Sequence, residues 1–108
     1  MAHLPLIKSD LIARLLDLIE EQGQQNPIWG KKMLDVVIKP DHRVDPMTIT
    51  VMLRDIQDYY AQVRGNLDAR YHYSQGQERE ALGAQYAQAR RDAAIAERLY
   101  ADRQQVIT

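Results

Sequence analysis

The sequence predicts an all-α protein in which two short N-terminal helices precede a long antiparallel helical hairpin that packs like a coiled coil. Three observations predict this fold. Apolar side chains recur in steps of three and four residues through two long stretches, as they do where helices pack along one face. These stretches are almost equal in length, and a short polar segment containing Gly76 separates them. Two earlier proline-containing pairs have the form of helix starts.

The first helix is expected to follow Ser9, whose side chain would cap its free amides, while Asp10 places a negative charge in the first turn. The apolar residues of this segment fall on one broad face: Leu11, Ile12, Leu15, Leu16 and Ile19. A polar run around Gly23 is expected to end the helix. This pattern predicts an amphipathic helix that packs on a core.

The second helix is expected to start at Asn26-Pro27, with asparagine as the N-cap and proline at the first helical position, where no amide hydrogen is needed. An apolar stripe follows, made of Trp29, Met33 and Val37. A competing interpretation pairs residues 34–38 with residues 48–53 as strands, because both segments are rich in β-branched side chains. The helix is the favoured interpretation.

Asp45-Pro46 repeats the cap-and-proline signal and begins the first arm of the hairpin, predicted over residues 46–73. The second arm is predicted over residues 77–105, so each arm is roughly 42 Å long at 1.5 Å per residue. Equal arms around a break that contains Gly76 favour an antiparallel hairpin, because each apolar position then finds a facing residue. One unbroken helix roughly 90 Å long is the alternative.

The contact between the two arms defines a helix-packing seam. It is predicted to consist of Ile49, Leu53, Ile56, Tyr60, Val63, Leu67, Leu82, Tyr86, Ala89, Ala93, Ala96 and Tyr100. Eight of the 12 alanines lie at or beyond residue 81, so the second arm presents small side chains to the bulkier ones of the first. An isolated helix of this composition would be marginal, and the second arm therefore needs a partner.

Length and composition limit the class of protein. The 108 residues form one domain, with an N-terminal helical segment over residues 1–45 and the hairpin over residues 46–108. A formal net charge of −1 gives no general attraction for a polyanion. The chain has no cysteine, no signal-peptide pattern and no apolar run long enough to span a membrane. We therefore expect a soluble cytoplasmic protein without disulfides.

No residue pattern indicates catalysis, a cofactor or a bound metal ion. The three histidines are scattered along the chain: His3, His42 and His72. The last of these is expected to pair with Asp68 on an exposed helix face. Asp41, His42 and Asp45 could contact a divalent ion, but loop polarity and helix capping account for them better. The two serines lack the sequence context of a nucleophile, and we expect that the protein is not an enzyme.

Arginines and tyrosines alternate in the later part of the hairpin, a combination that can bind single-stranded nucleic acid through phosphate contacts and base stacking. The same residue types are enriched at protein interfaces. The candidate interface or nucleic-acid face comprises Arg70, Tyr73, Arg79, Arg90, Arg91 and Arg98. The near-neutral charge balance makes a protein interface the favoured interpretation.

The expected function is that of a structural or interaction subunit that self-associates, or acts as an adaptor in a larger bacterial or phage assembly. This expectation follows from an elongated helical shape whose remaining apolar stripe is most easily buried by another subunit. The alternative is a small nucleic-acid-associated accessory protein in packaging, recombination or regulation. An inhibitor that binds one enzyme tightly is a third class.

Overall fold

The chain folds into a helical base from which one end of a long hairpin projects. A computed structural model describes residues 4–39, 41 and 43–108, with principal dimensions of 61 × 25 × 20 Å. Helix α1 spans Ser9–Gln25, α2 spans Pro27–Val37, α3 spans Pro46–Tyr73 and α4 spans Gly76–Ala101, and a 3₁₀ turn follows at Arg103–Gln105. Helices α3 and α4 pack along each other as a hairpin, which confirms the predicted all-α fold.

The predicted starts of α2 and α3 are confirmed by their caps. The Asn26 side chain accepts a hydrogen bond from the Trp29 amide at 3.4 Å, and a proline occupies the first turn of the helix. Asp45 Oδ1 accepts a hydrogen bond from the Met47 amide at 2.8 Å, again with a proline in the first turn. In both helices the side-chain oxygen satisfies an amide that the helix itself leaves free.

The start of α1 differs from the prediction. Ser9 is the first helical residue, and Lys8 holds the N-cap position in an extended conformation without a side-chain hydrogen bond to the helix. The Lys8 amide donates to the Val106 carbonyl at 2.9 Å, while the Lys8 carbonyl accepts from the Leu11 amide at 3.0 Å. A backbone contact with a distant segment therefore sets this helix start, and the cap predicted at Ser9 is wrong.

The hairpin turn lies at the predicted break, and the alternative of one continuous helix is wrong. The Ser74 amide and hydroxyl both donate to the Tyr71 carbonyl, at 3.3 and 2.9 Å, and close the last turn of α3. Gly76 then adopts a φ of +64°, a left-handed conformation that glycine reaches without steric cost. Helix α4 ends at Ala101 rather than near residue 105, because the 3₁₀ turn redirects the chain and brings Val106 into the core.

Helices α1 and α2 form a second, shorter hairpin. They cross at Gly23 and Gly30, where a Cβ added to Gly30 would lie 2.6 Å from the Gly23 Cα. The absence of both side chains allows the two backbones to approach each other directly. Residues 34–37 belong to the C-terminal end of α2, Ile38 is its C-cap and residues 48–53 belong to α3, so the alternative in which residues 34–38 and 48–53 pair as strands is wrong.

The core lies where α1 and α2 pack on the basal half of the hairpin. Its largest fully buried side chains are Leu15, Ile19, Val37, Ile49, Met52, Leu53, Ile56, Tyr60 and Val106. This contiguous core contains no residue from the distal arm, which we define as residues 61–92. In the distal arm, Leu82 and Ala89 are buried in the contact between α3 and α4. The base therefore has a core shared by several helices, whereas the arm depends on a contact between two.

Three short segments meet at the closed end of the base. Residues 4–8 lie between residues 43–44 and residues 106–108, and isolated antiparallel bridges connect them. Backbone hydrogen bonds of 2.9 to 3.0 Å hold the three segments together. We call this arrangement the terminal clasp. It buries one side chain from each segment: Ile7, Val44 and Val106.

Candidate interaction surfaces

Most residues predicted for the helix-packing seam are buried. Eight have little exposed surface: Ile49, Leu53, Ile56, Tyr60, Leu82, Ala89, Ala93 and Ala96. The other four are half-buried: Val63, Leu67, Tyr86 and Tyr100. On α3, the seam residues up to Tyr60 are buried and those after it are half-buried. Tyr60 is also the last α3 residue of the shared core. The distal arm thus has less apolar burial on α3 than the base has.

Tyr60 connects α3 to α1. Its side chain is fully buried, and its hydroxyl donates a hydrogen bond to Glu21 Oε2 at 2.9 Å. Burial, followed by this hydrogen bond and by the charge of Glu21, raises the pKa of Tyr60 far above its usual value. Tyr59 packs edge-on against it, with the ring centroids 5.0 Å apart. Tyr60 therefore keeps its proton and serves as a hydrogen-bond donor between two helices.

Asp55 joins α3 to both shorter helices. Its Oδ2 accepts a hydrogen bond from Trp29 Nε1 of α2 at 3.0 Å. Its backbone carbonyl accepts one from Gln22 Nε2 of α1 at 3.5 Å. Gln22 is buried, and its Oε1 has no hydrogen-bond partner among the described residues. The polar contacts at this junction fix the position of the α1–α2 pair on α3.

An arginine–tyrosine stack crosses the distal arm, formed by Arg79, Tyr71, Tyr86 and Arg90. The two tyrosine rings are nearly parallel, with centroids 5.8 Å apart and planes inclined by 12°. The Arg79 guanidinium lies 4.6 Å from the Tyr71 centroid, and the Arg90 guanidinium lies 5.8 Å from the Tyr86 centroid. The faces of both rings are thus in contact with groups of this chain, and the stack fastens α3 to α4.

The hydroxyl end of Tyr86 has an acidic neighbour on the other helix. A hydrogen bond to the Asp68 side chain is the main cause that raises the pKa of Tyr86, and the charges of Arg90 and Arg64 oppose it. Asp68 Oδ1 also lies 3.4 Å from His72 Nε2, as expected from their spacing of four residues. Tyr86 therefore contacts α3 through its ring and its hydroxyl.

The residues of the candidate interface or nucleic-acid face do not form one patch. Arg70 and Tyr73 are exposed near the hairpin turn, where Tyr73 keeps 90% of its surface accessible. Arg79 and Arg90 belong to the stack. Arg91 and Arg98, both exposed, lie two helical turns apart on the side of α4 that faces away from α3. The predicted face is thus divided among three regions of the hairpin, occupied by Arg70 and Tyr73, by Arg79 and Arg90, and by Arg91 and Arg98.

An open groove of about 390 Å³ lies between α1 and the C-terminal part of α4, and we call it the α1–α4 groove. Its lining comprises Leu11, Arg14, Ala94, Ile95, Arg98, Leu99, Asp102, Gln105 and Val106. Leu11, Ile95 and Leu99 are only half-buried. Sequence reasoning identified Arg98 but missed this groove, because the periodicity of each helix does not reveal that α1 lies beside α4.

A second groove, of about 430 Å³, runs along the α1–α2 pair. Its apolar lining includes Ile19, Leu34 and Ile38, and Ile38 keeps 56% of its surface exposed. Two carboxylates, those of Glu20 and Asp35, and the ammonium group of Lys31 also line it. The charged lining of the second groove therefore has both signs, with one more negative charge than positive.

The acidic and histidine residues considered for metal binding have other partners or lie outside the described residues. Asp41 Oδ1 accepts a hydrogen bond from the Arg43 amide at 3.2 Å, and Asp45 caps α3. His3 and His42 lie outside the part of the chain that the structure describes. Within the described residues, no three histidine, aspartate or glutamate side chains are grouped closely enough to hold a metal ion.

Two further findings bear on function. None of the helices in the described ranges combines the length and the apolar character needed to cross a bilayer. Comparison of the chain with protein-family models, with curated proteins and with solved structures found no match. We therefore infer function from the surfaces of the molecule itself.

Proposed function

We propose that this protein is a non-enzymatic helical interaction subunit that self-associates. The observation that carries the proposal is the α1–α4 groove, in which Leu11, Ile95 and Leu99 remain half-exposed although the fold has a well-packed core nearby. An apolar groove with charged rims is typical of a surface that another protein covers. Covering it would remove apolar surface from water, which is the main driving force for protein association.

Three tyrosines have pKa values that depart from the usual one, and packing accounts for each departure. Among the described residues, the side chains whose pKa is raised are Tyr59, Tyr60 and Tyr86. Burial is the main cause for the first two, and hydrogen bonding to Asp68 is the main cause for the third. Tyr60 and Tyr86 each contact a second helix, Tyr59 packs against Tyr60, and none of the three lines the α1–α4 groove, so the raised pKa values reflect packing.

The wider setting that we propose is a larger bacterial or phage assembly in which the protein acts as a structural subunit or an adaptor. The support is the shape: a base with an open groove and a distal arm that extends the molecule to 61 Å. Such a shape suits a protein that bridges partners. The setting itself is an analogy with other elongated helical proteins rather than a property of any one site.

The nucleic-acid alternative has less support. Stacking on bases requires free aromatic faces, and those of Tyr71 and Tyr86 are in contact with each other and with Arg79 and Arg90. The remaining exposed aromatic ring of this face, Tyr73, lies near the hairpin turn, away from Arg98 in the groove at the base. The groups that would have to act together are thus held apart.

Light scattering coupled to size-exclusion chromatography tests the proposal. We expect a mass of at least twice the 12.5 kDa of one chain at protein concentrations of about 10 to 100 µM, decreasing on dilution as mass action requires. A mass of one chain throughout this range would refute self-association. Binding of a labelled single-stranded oligonucleotide at low salt, weakening steeply as salt is added, would support the nucleic-acid alternative instead.

A further inference from the structure

We propose that the partner at the α1–α4 groove is a second copy of this chain, related by a two-fold axis that runs along the groove. In this arrangement Arg98 and Arg91 of each copy lie opposite Asp10 and Asp17 of the other. The inference rests on the proposed self-association and specifies the surface that mediates it.

Helix α1 carries an acidic stripe beside the groove. Asp10, Arg14, Asp17 and Glu21 follow each other in steps of four, three and four residues, so they lie in one line along the helix. All four are exposed. Three carboxylates and one guanidinium give the stripe a net negative charge.

Helix α4 carries a basic stripe with the same spacing. Ala87, Arg91, Ala94 and Arg98 repeat the steps of four, three and four residues, and all are exposed. The structure gives the guanidinium of Arg98 no hydrogen bond or ion pair within the described residues, and the guanidinium of Arg91 donates only to Gln88 Oε1 of the same helix at 2.7 Å. Both guanidinium groups are therefore available to a partner. Ala94 between them and Ala87 before Arg91 are small, which allows another helix to approach closely.

The acidic and basic pairs match in separation. Asp10 and Asp17 are seven residues apart on α1, and Arg91 and Arg98 are seven residues apart on α4. Each pair therefore spans about 10 Å along its helix. Two guanidinium groups of one stripe can then face two carboxylates of the other at the same time, which a pair with unequal spacing would prevent.

The direction of the two helices also matches. Ile7, just before α1, forms a bridge with Ile107, which follows the 3₁₀ turn after α4. Leu11 in the first turn of α1 lines the groove together with Leu99 and Asp102, so the start of α1 lies beside the end of α4. Glu21, near the end of α1, accepts a hydrogen bond from the Tyr60 hydroxyl. The negative charge of Asp92, which precedes Arg98 on α4, also acts on this hydroxyl. Helix α1 therefore runs antiparallel to α4. Asp10 is level with the Arg98 region and Asp17 lies toward Arg91.

A two-fold axis parallel to the groove is compatible with these helix directions. It places α1 of the second copy over α4 of the first without changing its direction or its height along the axis. Asp10 of the second copy then faces Arg98, and Asp17 of the second copy faces Arg91. The same rotation covers the half-exposed apolar residues of both grooves. Asp102, the acidic residue of the groove lining, lies about one turn beyond Arg98, where Lys8 of the second copy would arrive.

Charge reversal on each helix tests the pairing. We compare Arg91→Glu/Arg98→Glu, Asp10→Lys/Asp17→Lys and the chain that carries all four substitutions by sedimentation equilibrium. Each double reversal puts like charges opposite each other, and we expect self-association at least about 100-fold weaker than in the unsubstituted protein. The fourfold chain restores opposite charges, and we expect an association constant within about tenfold of the original.

An equimolar mixture of the two double variants provides the sharpest result. Every contact in a mixed dimer joins opposite charges, so the mixture is expected to dimerise although neither variant does so alone. Matched controls carry the same charge changes elsewhere on exposed residues: Lys32→Glu/Arg70→Glu and Asp58→Lys/Glu80→Lys. We expect both controls to associate like the unsubstituted protein, and circular dichroism checks that every variant is folded.

The possible outcomes separate the two proposals. An unsubstituted protein that is monomeric at all concentrations refutes self-association and this inference together. An oligomer that neither reversal weakens refutes the inference alone and leaves self-association standing. Reversals that weaken the oligomer without recovery in the mixture also overturn the pairing. Recovery in the mixture and in the fourfold chain supports it.

Discussion

Gly23 and Gly30 meet at the crossing of α1 and α2, where a Cβ on Gly30 would lie 2.6 Å from the Cα of Gly23. The contact is between backbones, so no flexible side chain can move aside to relieve a clash. The pair holds α1 and α2 together next to the junction at which Asp55 bonds both helices. A glycine inside a helix costs about 1 kcal/mol relative to alanine, and here the close approach of the helices accounts for its presence.

Gly30→Ala is expected to lower the free energy of unfolding by about 2 kcal/mol, because the cost of overpacking exceeds the gain in helix propensity. Urea denaturation measures the change. The matched control is Gly65→Ala in α3, where an added Cβ meets no atom within 4 Å. We expect this control to raise the free energy of unfolding by up to about 1 kcal/mol. Equal effects of the two substitutions would show that the crossing does not require glycine.

Leu53→Asp is expected to prevent stable folding, since Leu53 is almost fully buried and an unpaired carboxylate there costs several kcal/mol. Loss of the helical circular dichroism signal, or of cooperative thermal unfolding, measures the effect. Ala61→Asp places the same charge on an exposed position of α3 and is expected to cost about 0.5 kcal/mol. A folded Leu53→Asp protein of nearly normal stability would contradict the core described here.

Tyr86→Ala removes the centre of the arginine–tyrosine stack and is expected to destabilise the distal arm by about 2 kcal/mol. Hydrogen exchange followed by mass spectrometry should show faster exchange in residues 61–92 and nearly unchanged protection in the base. Tyr73→Ala, at a side chain that is 90% exposed, is the control and should change stability by less than about 0.5 kcal/mol. Uniformly faster exchange over the whole chain would mean that arm and base unfold together.

The raised pKa of Tyr60 leads us to expect a loss of stability at alkaline pH. Because its pKa is raised in the folded state, the unfolded state releases its proton first, above about pH 10. The stabilisation linked to this group is therefore complete below about pH 10 and is lost as the pH rises further. Urea denaturation between about pH 8 and pH 11 measures the free energy of unfolding across this range.

Tyr60→Phe measures the contribution of the Tyr60 hydroxyl to the pH dependence of the free energy of unfolding. The substitution removes the hydrogen bond to Glu21, and we expect a cost of about 1 kcal/mol near neutral pH. The decrease in stability above about pH 10 should then be smaller than in the unsubstituted protein. Tyr73→Phe makes the same chemical change at an exposed ring. If the two variants lose stability with pH to the same extent, Tyr60 is not the group responsible.

The sequence by itself determined the helices and their order. The bounds of α3 follow from Asp45-Pro46 at one end and from the break at Ser74–Gln77 at the other, and the structure places this helix at Pro46–Tyr73. Capping, proline geometry and glycine conformation act within one helical turn, so neighbouring residues carry enough information to predict them. The apolar periodicity likewise showed which face of each helix turns inward.

The tertiary structure alone decided where distant segments meet. The start of α1 is set by a hydrogen bond between Lys8 and Val106, and α4 ends early because the following chain enters the terminal clasp. The α1–α4 groove depends in the same way on helices that are far apart in sequence, and the glycine crossing depends on how two consecutive helices pack. Apolar periodicity indicates which face of a helix is buried, but it does not indicate which other helix covers that face. The identity of the covering helix depends on the packing of the whole chain.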